Sequence, residues 1–356
     1  MNFSSETPVA REAARRRPRV ALLTDTDDWA FANIARQLTA RLADAFDFKT
    51  IPVREYTTLT RALLAAGGAD LIHFFWREHL VQLQWPAVLS ELALLFGSAD
   101  RGIRRLLAGA RLTTSVFDHL FLEPADLRLR GDLFRSLGVS YGVSSRILFD
   151  LYDSRVEMPR PDAVLRDGVD RTLFRPRDLV RLESAGRHRD LVIGWVGNSR
   201  FGGLGEDPKG LHTIIEPAVR VLVAQGYRVR LEIADRAVRL RPIVEMPHFY
   251  DSIDVYCCAS IAEGTPNPVL EAMSSGLPVV STRVGIVPEA FGPAQRDFLL
   301  PERTPEALAA ALRRLIESPP LLRVLSEENN ASIKAWDWAV RAAEYGDFFH
   351  RQILRE

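Results

Sequence analysis

Glu263 and Glu271 stand eight residues apart in the segment Glu263-Gly264-Thr265-Pro266-Asn267-Pro268-Val269-Leu270-Glu271, which follows the apolar run IDVYCCAS and continues as AMSSGLPVV. This composition predicts a strand, a short loop and a helix that Gly276 ends, with Pro278 just beyond. Thr265 is placed to cap that helix and Pro266 to take its first position, where a missing N–H costs nothing. The amides of Asn267, Val269 and Leu270 would then crown the positive end of the helix, a setting that suits an anion. One carboxylate before that end and one about a turn inside it suit a ligand with hydroxyls on both sides of a phosphate. A nucleotide sugar is such a ligand, its ribose diol gripped by one carboxylate and its hexose hydroxyls by the other. A solvated loop glutamate and a surface helix charge are the alternative for the same pair.

Three of the 46 basic residues are lysine (Lys49, Lys209 and Lys334) and the other 43 are arginine. Lys209, directly before Gly210, therefore stands out as a cation for a phosphate, against the alternative of a solvated loop lysine. Asp25-Thr26-Asp27-Asp28, ahead of Trp29, contains a D-x-D triplet of the kind that holds a metal. A first-strand loop is the wrong place for it, so no metal site is expected. Asp25, Asp27 and Trp29 are instead candidates for contact with a substrate bearing hydroxyls or cationic groups, with helix capping by Asp27 or Asp28 as the alternative.

The elements that must position these groups alternate. Arg19 to Thr24, Phe46 to Val53, Asp70 to Phe75, Arg111 to Phe117, Val139 to Val143 and Ala163 to Arg166 read as strands, with helical patterns between most of them. Leu191 to Val196, Arg228 to Ala234, Ile253 to Cys258, Pro278 to Ser281 and Asp297 to Leu300 repeat the logic, with helices over Leu211 to Val223, Asn267 to Ser275 and Pro305 to Glu317. Such alternation implies parallel sheets covered on both faces, here two α/β units whose ligand lies beyond the carboxyl ends of the strands. The 356 residues, 47% apolar, suffice for two cores. The 46 basic and 46 acidic residues cancel, which weighs against a general nucleic-acid binder. No apolar run reaches 18 residues, so no transmembrane helix is expected. The arginines among residues 1–18 read as a disordered basic tail and not as a secretory signal. Cys257 and Cys258 are adjacent, which fits a reducing cytoplasm better than a disulfide scaffold.

With these motifs in place, the segment from Glu263 resembles the E-x7-E element of retaining GT-B glycosyltransferases, most like family 4 (glycosyl transferases group 1), including the continuation EAMSSGLPVV. Asp167-Gly168-Val169-Asp170 with Leu173-Phe174-Arg175-Pro176 resembles that family's N-G-V-D-x-x-x-F-x-P segment, with Asp167 where Asn is usual. Val192 to Gly197 followed by Lys209-Gly210 resembles the opening of its donor domain, and Trp336-Asp337-Trp338 with the helix to Arg355 resembles its closing segment. Thr114 to His119 resembles its T-V-H-D element, with Phe117 in the histidine slot and His119 two residues later.

The resemblance implies a GT-B architecture: two doubly wound Rossmann-like domains facing a central cleft, with the C-terminal helix crossing back to the N-terminal domain. The expected division is a tail (1–18), an acceptor domain (19–175), a linker (176–190), a nucleotide-sugar domain (191–335) and the returning helix (336–356). Sugar transfer to an acceptor hydroxyl with retention is implied, without a required cofactor, from a UDP-, GDP- or ADP-sugar. Glu271 would hold the ribose and Glu263 the transferred sugar. Lys209 and Arg200, the nearest substitute for an arginine whose place Asn198 takes, would hold the diphosphate together with the backbone from Gly197 and from Gly264 through Thr265 and Pro266 to Asn267. His119 or Asp118 would stand near the reacting sugar. The acceptor would be a glycan, a lipid-linked glycan or a small molecule of bacterial surface polysaccharide or glycoconjugate synthesis. A sugar-nucleotide epimerase, a phosphorylase or a non-catalytic partner protein on the same fold are the alternatives. The stretch 84–111, with Trp85, Val88, Leu89, Leu92, Leu95 and Phe96 beside Arg101, Arg104, Arg105 and Arg111, would suit peripheral contact with anionic lipid on the inner face of a membrane, or a core-facing helix with a solvated side.

Overall fold

The computed structural model describes residues 16–27, 30–176, 179–202 and 206–355. Strands β1 (Arg19–Thr24), β2 (Asp47–Pro52), β3 (Leu71–Phe74), β4 (Arg111–Val116), β5 (Ser140–Val143) and β6 (Ala163–Val164) form one parallel sheet in the order β2-β1-β3-β4-β5-β6. Strands β7 (Leu191–Gly197), β8 (Val229–Asp235), β9 (Val255–Cys258) and β10 (Val279–Ser281) form a second, in the order β10-β9-β7-β8. Val20 to Leu23 of β1 are all buried, as a strand covered on both faces requires. Strand order reverses beside β1 in the first sheet and beside β7 in the second. Crevices open beyond the carboxyl ends at such points.

Helices α1 (Ala30–Leu42), α2 (Leu59–Ala65), α3 (Glu78–Gln82), α4 (Pro86–Phe96), α5 (Ala99–Leu107), α6 (Pro124–Leu137) and α7 (Arg146–Asp153) connect the first set of strands. Helices α8 (Glu216–Ala224), α9 (Met246–Ser252), α10 (Asn267–Ser274), α11 (Val287–Ala290), α12 (Pro305–Glu317) and α13 (Pro319–Ser332) follow, and α14 (Trp338–Ile353) closes the chain. Helix α14 returns to the first sheet. Its Trp338, Tyr345, Phe348 and Phe349 are buried in one apolar cluster with Val20, Leu22, Ile34 and Leu38. The fold is α/β with two doubly wound sheets and a C-terminal helix that crosses back.

The two halves touch at defined points. Glu289 of α11 accepts from the Arg146 amide at 2.8 Å and from the Arg166 guanidinium at 2.6 Å. A Cβ on Gly264 would lie 2.0 Å from the Phe117 carbonyl oxygen at the end of β4, so the loop after β9 lies directly against the first half. One expectation changes. Asp297 to Leu300 is not a strand: Gln295–Phe298 is a 3₁₀ turn and Leu299 makes only an isolated bridge to Ser281, because Gln295 is turned inward to hydrogen-bond the Val279 backbone. Residues 179–190 are docked on the second half, with Leu182 and Ala185 buried and Arg189 paired in a fork to Asp254 at 2.6 and 2.7 Å. That pairing explains why a polar stretch without periodicity is ordered.

Candidate active site

The loop between β7 and the helix that follows places Lys209. Gly210 has φ of +70°, and a Cβ there would sit 2.4 Å from the Ala259 carbonyl oxygen, so only glycine fits between Lys209 and the end of β9. Asp207 accepts from the amides of His212 at 2.8 Å and Thr213 at 2.7 Å, capping a π-type turn (Leu211–Ile215) that leads into α8. So held, Lys209 Nζ lies 2.5 Å from Glu263 Oε1, which also accepts from Ser260 Oγ at 2.7 Å. The pair is mostly buried, its side chains 24% and 15% exposed.

Glu271 sits on α10. The head of that helix differs from the expectation: Pro266 is the cap residue with no side-chain hydrogen bond, Pro268 lies in the first turn, and the Val269 amide donates to the Pro266 carbonyl at 2.8 Å. Thr265 does not cap: its hydroxyl is buried without a hydrogen bond among the described residues, near the buried Asp167 carboxyl, which burial pushes up to about 7. Glu271 Oε2 accepts from the buried Tyr250 hydroxyl at 2.6 Å. Burial raises the Glu271 carboxyl to about 7, with the Tyr250 bond opposing that rise. A carboxyl raised on folding binds a proton between its unfolded value and about 7 that the unfolded chain has lost, so its stabilising contribution is present at low pH and falls as pH rises through that window. Glu271→Gln is therefore expected to raise Tm at pH 8 relative to the parent, to match it at pH 4, and to weaken nucleotide binding at both. Thermal unfolding and titration calorimetry at the two pH values check this.

Two adjoining cavities occupy the cleft, of about 400 and 660 Å³. Lys209 and Glu263 line only the smaller and Glu271 only the larger, while Asn267 and Pro268 at the head of α10 line both. Gly197 lies at the mouth of the smaller, its carbonyl accepting from the Arg236 amide at 2.8 Å. Arg200 is exposed and lines neither cavity. Arg236, the residue after β8, lines both. The sequence reading missed it, and the signal was a single arginine directly after a strand that ends in Asp235.

Phe117 turns its ring into the core, 5.3 Å from Phe31, so the slot after β4 is filled by packing and only its carbonyl faces the loop at Gly264. Asp118 is tied down, accepting from Arg77 and from the Leu120 amide at 2.8 and 2.9 Å. Arg77 is 2% exposed and also donates to the Leu120 carbonyl, and Glu78 beside it takes both arms of Arg130 at 2.9 and 2.7 Å. Burial lowers the pKa of His119, and the negative charges of Asp118 and Glu263 act against that lowering. Neither His119 nor Asp118 lines either of these two cavities. Arg77 is buried but Asp118 is a third exposed, so Arg77→Met, which strips the Asp118 carboxylate and the Leu120 carbonyl of a donor, is expected to cost about 1–3 kcal/mol in urea unfolding.

The Asp25 carbonyl accepts from the Arg54 amide at 3.0 Å and the Asp27 carbonyl from Arg36 at 2.9 Å, so both residues brace the loop by backbone. Asp28 and Trp29 lie outside the described residues. Among the described residues, no group of three or more His, Cys, Asp or Glu is set to hold a metal.

Two parallel sheets facing a cleft, with the last helix crossing back, define a GT-B protein. Residues 209–318 match the family model described as glycosyl transferases group 1. WcaL of Salmonella typhimurium, named for a glycosyltransferase of colanic acid biosynthesis, is 30% identical over 64% of this chain and 57% of its own length. The MMP alpha-(1->4)-mannosyltransferase of Mycolicibacterium hassiacum is 26% identical over 60% of this chain and 54% of its own. The chain thus spans somewhat more than half the length of these relatives. HepE of Anabaena, solved with UDP-glucose, superposes with a TM-score of 0.64 at 15% identity, covering 94% of this chain and 99% of that one. Sucrose-phosphate synthase of Thermosynechococcus elongatus gives 0.65 at 17%, with the same coverage.

Proposed function

We propose that the chain transfers a sugar from a nucleotide-sugar donor to an acceptor hydroxyl, with retention at the anomeric carbon. The observation that carries this is the arrangement around the head of α10, with Lys209 and Glu263 on one side and Glu271 on the other. On this reading a donor lies along the cleft, with its sugar on Glu263, its diphosphate on Lys209 and Arg236 over the helix head and its ribose on Glu271. The bond from the anomeric carbon to the phosphate oxygen breaks, the acceptor oxygen bonds to that carbon on the same face, and its proton passes to the departing phosphate. Two cations stabilise the charge that grows on that phosphate, work that a metal does in other enzymes. UDP-glucose in HepE and the names of the relatives support a nucleotide sugar as donor and a bacterial surface polysaccharide or related glycan as product. Incubation with UDP-, GDP- and ADP-sugars tests the reading: nucleotide release that requires an acceptor supports it. Nucleotide binding without release favours a non-catalytic partner, and donor conversion without an acceptor product favours an epimerase.

We also propose peripheral contact with anionic lipid through the first half. In α4 only Val88 and Leu92 are fully buried, while Leu94 is 86% exposed, and Trp85 and Leu95 stand out beside the exposed Arg101, Arg104 and Arg105 of α5. An apolar face flanked by arginines suits an anionic bilayer. No helix of the described residues is long and apolar enough to cross one. Leu94→Glu with Leu95→Glu is expected to abolish co-sedimentation with phosphatidylglycerol vesicles. Retained binding would contradict the contact.

A further inference from the structure

Asp167 lies on the segment that leaves β6, 3% exposed, and takes no part in the donor contacts above. That segment is clamped to the closing part of the chain. The Val169 amide donates to the Trp336 carbonyl at 2.8 Å, the Trp338 amide donates to the Val169 carbonyl at 3.3 Å, and a Cβ on Gly168 would lie 2.9 Å from Trp338. The carboxyl held in this way is short of donors. The buried Tyr345 hydroxyl of α14 reaches Asp167 Oδ1 at 3.5 Å, but its one proton is shared with the Leu165 carbonyl at 3.4 Å. Arg166, next in the chain, turns its guanidinium to Glu289 and Glu344 instead. Burial pushes the Asp167 carboxyl up to about 7, with the hydroxyls of Thr265 and Tyr345 opposing the rise. The loop after β9 carries the complementary shortage. Thr265 lines the smaller cavity directly before the Pro266 cap, yet its hydroxyl is buried without a hydrogen bond among the described residues. A buried carboxyl short of donors thus stands near a buried hydroxyl that lacks an acceptor. Each is costly alone, and one hydrogen bond between them answers both.

Resting on the donor reading above, we infer that Asp167 is a positioning residue for the loop after β9, accepting the Thr265 hydroxyl in the donor-bound enzyme and so setting Glu263 and the head of α10. Thr265 comes two residues after Glu263 and one before the cap, so a shift of its side chain passes to both. Asp167 itself touches no substrate. It acts from a segment whose own place is fixed, which is what holding a reacting group within a fraction of an ångström requires.

Donor kcat/KM and Tm at pH 8, measured on the intact chain, Asp167→Leu, Asp167→Asn, Thr265→Val and the Asp167→Leu/Thr265→Val double variant, test the assignment. Asp167→Leu and Thr265→Val should each lower kcat/KM about tenfold, the scale of one hydrogen bond. The double variant should fall no further, since both changes remove the same bond. Asp167→Asn keeps an acceptor oxygen and should stay within about threefold of the parent. Tm should not fall in Asp167→Leu or Thr265→Val, because one removes a charge buried at pH 8 and the other a hydroxyl without a partner. A merely structural role would lower Tm and activity together. Parent-like kcat/KM in Asp167→Leu, losses that multiply to about a hundredfold in the double variant, or a fall in Tm beside the loss of activity in both single variants overturns the inference and leaves the donor reading standing. If Asp167→Leu does not fold, Thr265→Val decides, and an unchanged kcat/KM there overturns the inference. A parent that releases nucleotide from no donor overturns both.

Discussion

Lys209→Ala is expected to lower kcat/KM for the donor by about a hundred- to a thousandfold, the scale on which a group stabilising developing charge acts. The ammonium is held 2.5 Å from Glu263 by a loop that Gly210 and Asp207 fix, so its position is set before any ligand arrives. Without the ammonium, Glu263 keeps its bond from Ser260 and faces the open cavity. Tm should therefore stay within a few degrees of the parent. Arg200→Ala, at an exposed position that lines neither cavity, should leave kcat/KM unchanged. Arg236→Ala should weaken nucleoside diphosphates more than nucleosides. Steady-state kinetics with calorimetric Tm on the three variants checks the set.

Gly264→Ala has the second large effect, by a different route. The added methyl would meet the Phe117 carbonyl oxygen at 2.0 Å and Ser144 Oγ at 2.5 Å. The loop cannot retreat, because a Cβ on Gly285 would already lie 2.1 Å from the Gly264 carbonyl oxygen, which accepts from the Ile286 amide at 3.1 Å. The two halves must then separate. Lys209, Arg236 and Glu271 all belong to the second half, so nucleotide affinity should fall less than turnover does. Turnover needs the cleft closed around acceptor and donor, and a displacement of an ångström there costs on the order of a hundredfold. The signature is a drop in kcat of about that size with a small change in nucleotide Kd. Equal losses in both would show that the loop acts through donor binding alone.

Much of this arrangement is legible in the sequence. Both sheets follow from short β-rich runs alternating with helical ones, and Lys209, Glu263 and Glu271 stand out by type and spacing. What the sequence hides depends on contacts distant along the chain. The head of α10 looks capped by Thr265, but packing buries that hydroxyl without a hydrogen bond and Pro266 takes the cap position. Asp118 looks like a free acid, yet Arg77 arrives from the loop after β3 to neutralise it. Asp297 to Leu300 has a strand's composition, but Gln295 reaches the Val279 backbone and bends the chain into a turn. Arg236 carries no motif, and only the fold brings it to both cavities.

The central claim is that a donor lies along the cleft with its diphosphate at the α10 head. A crystal structure of the chain with the nucleoside diphosphate it binds most tightly tests this most directly. The predicted result places phosphate oxygens within hydrogen-bonding distance of Lys209 Nζ and the Arg236 guanidinium, and a ribose hydroxyl on a Glu271 carboxylate oxygen. A nucleotide bound with its phosphates away from Lys209, or outside the cleft altogether, would contradict the account.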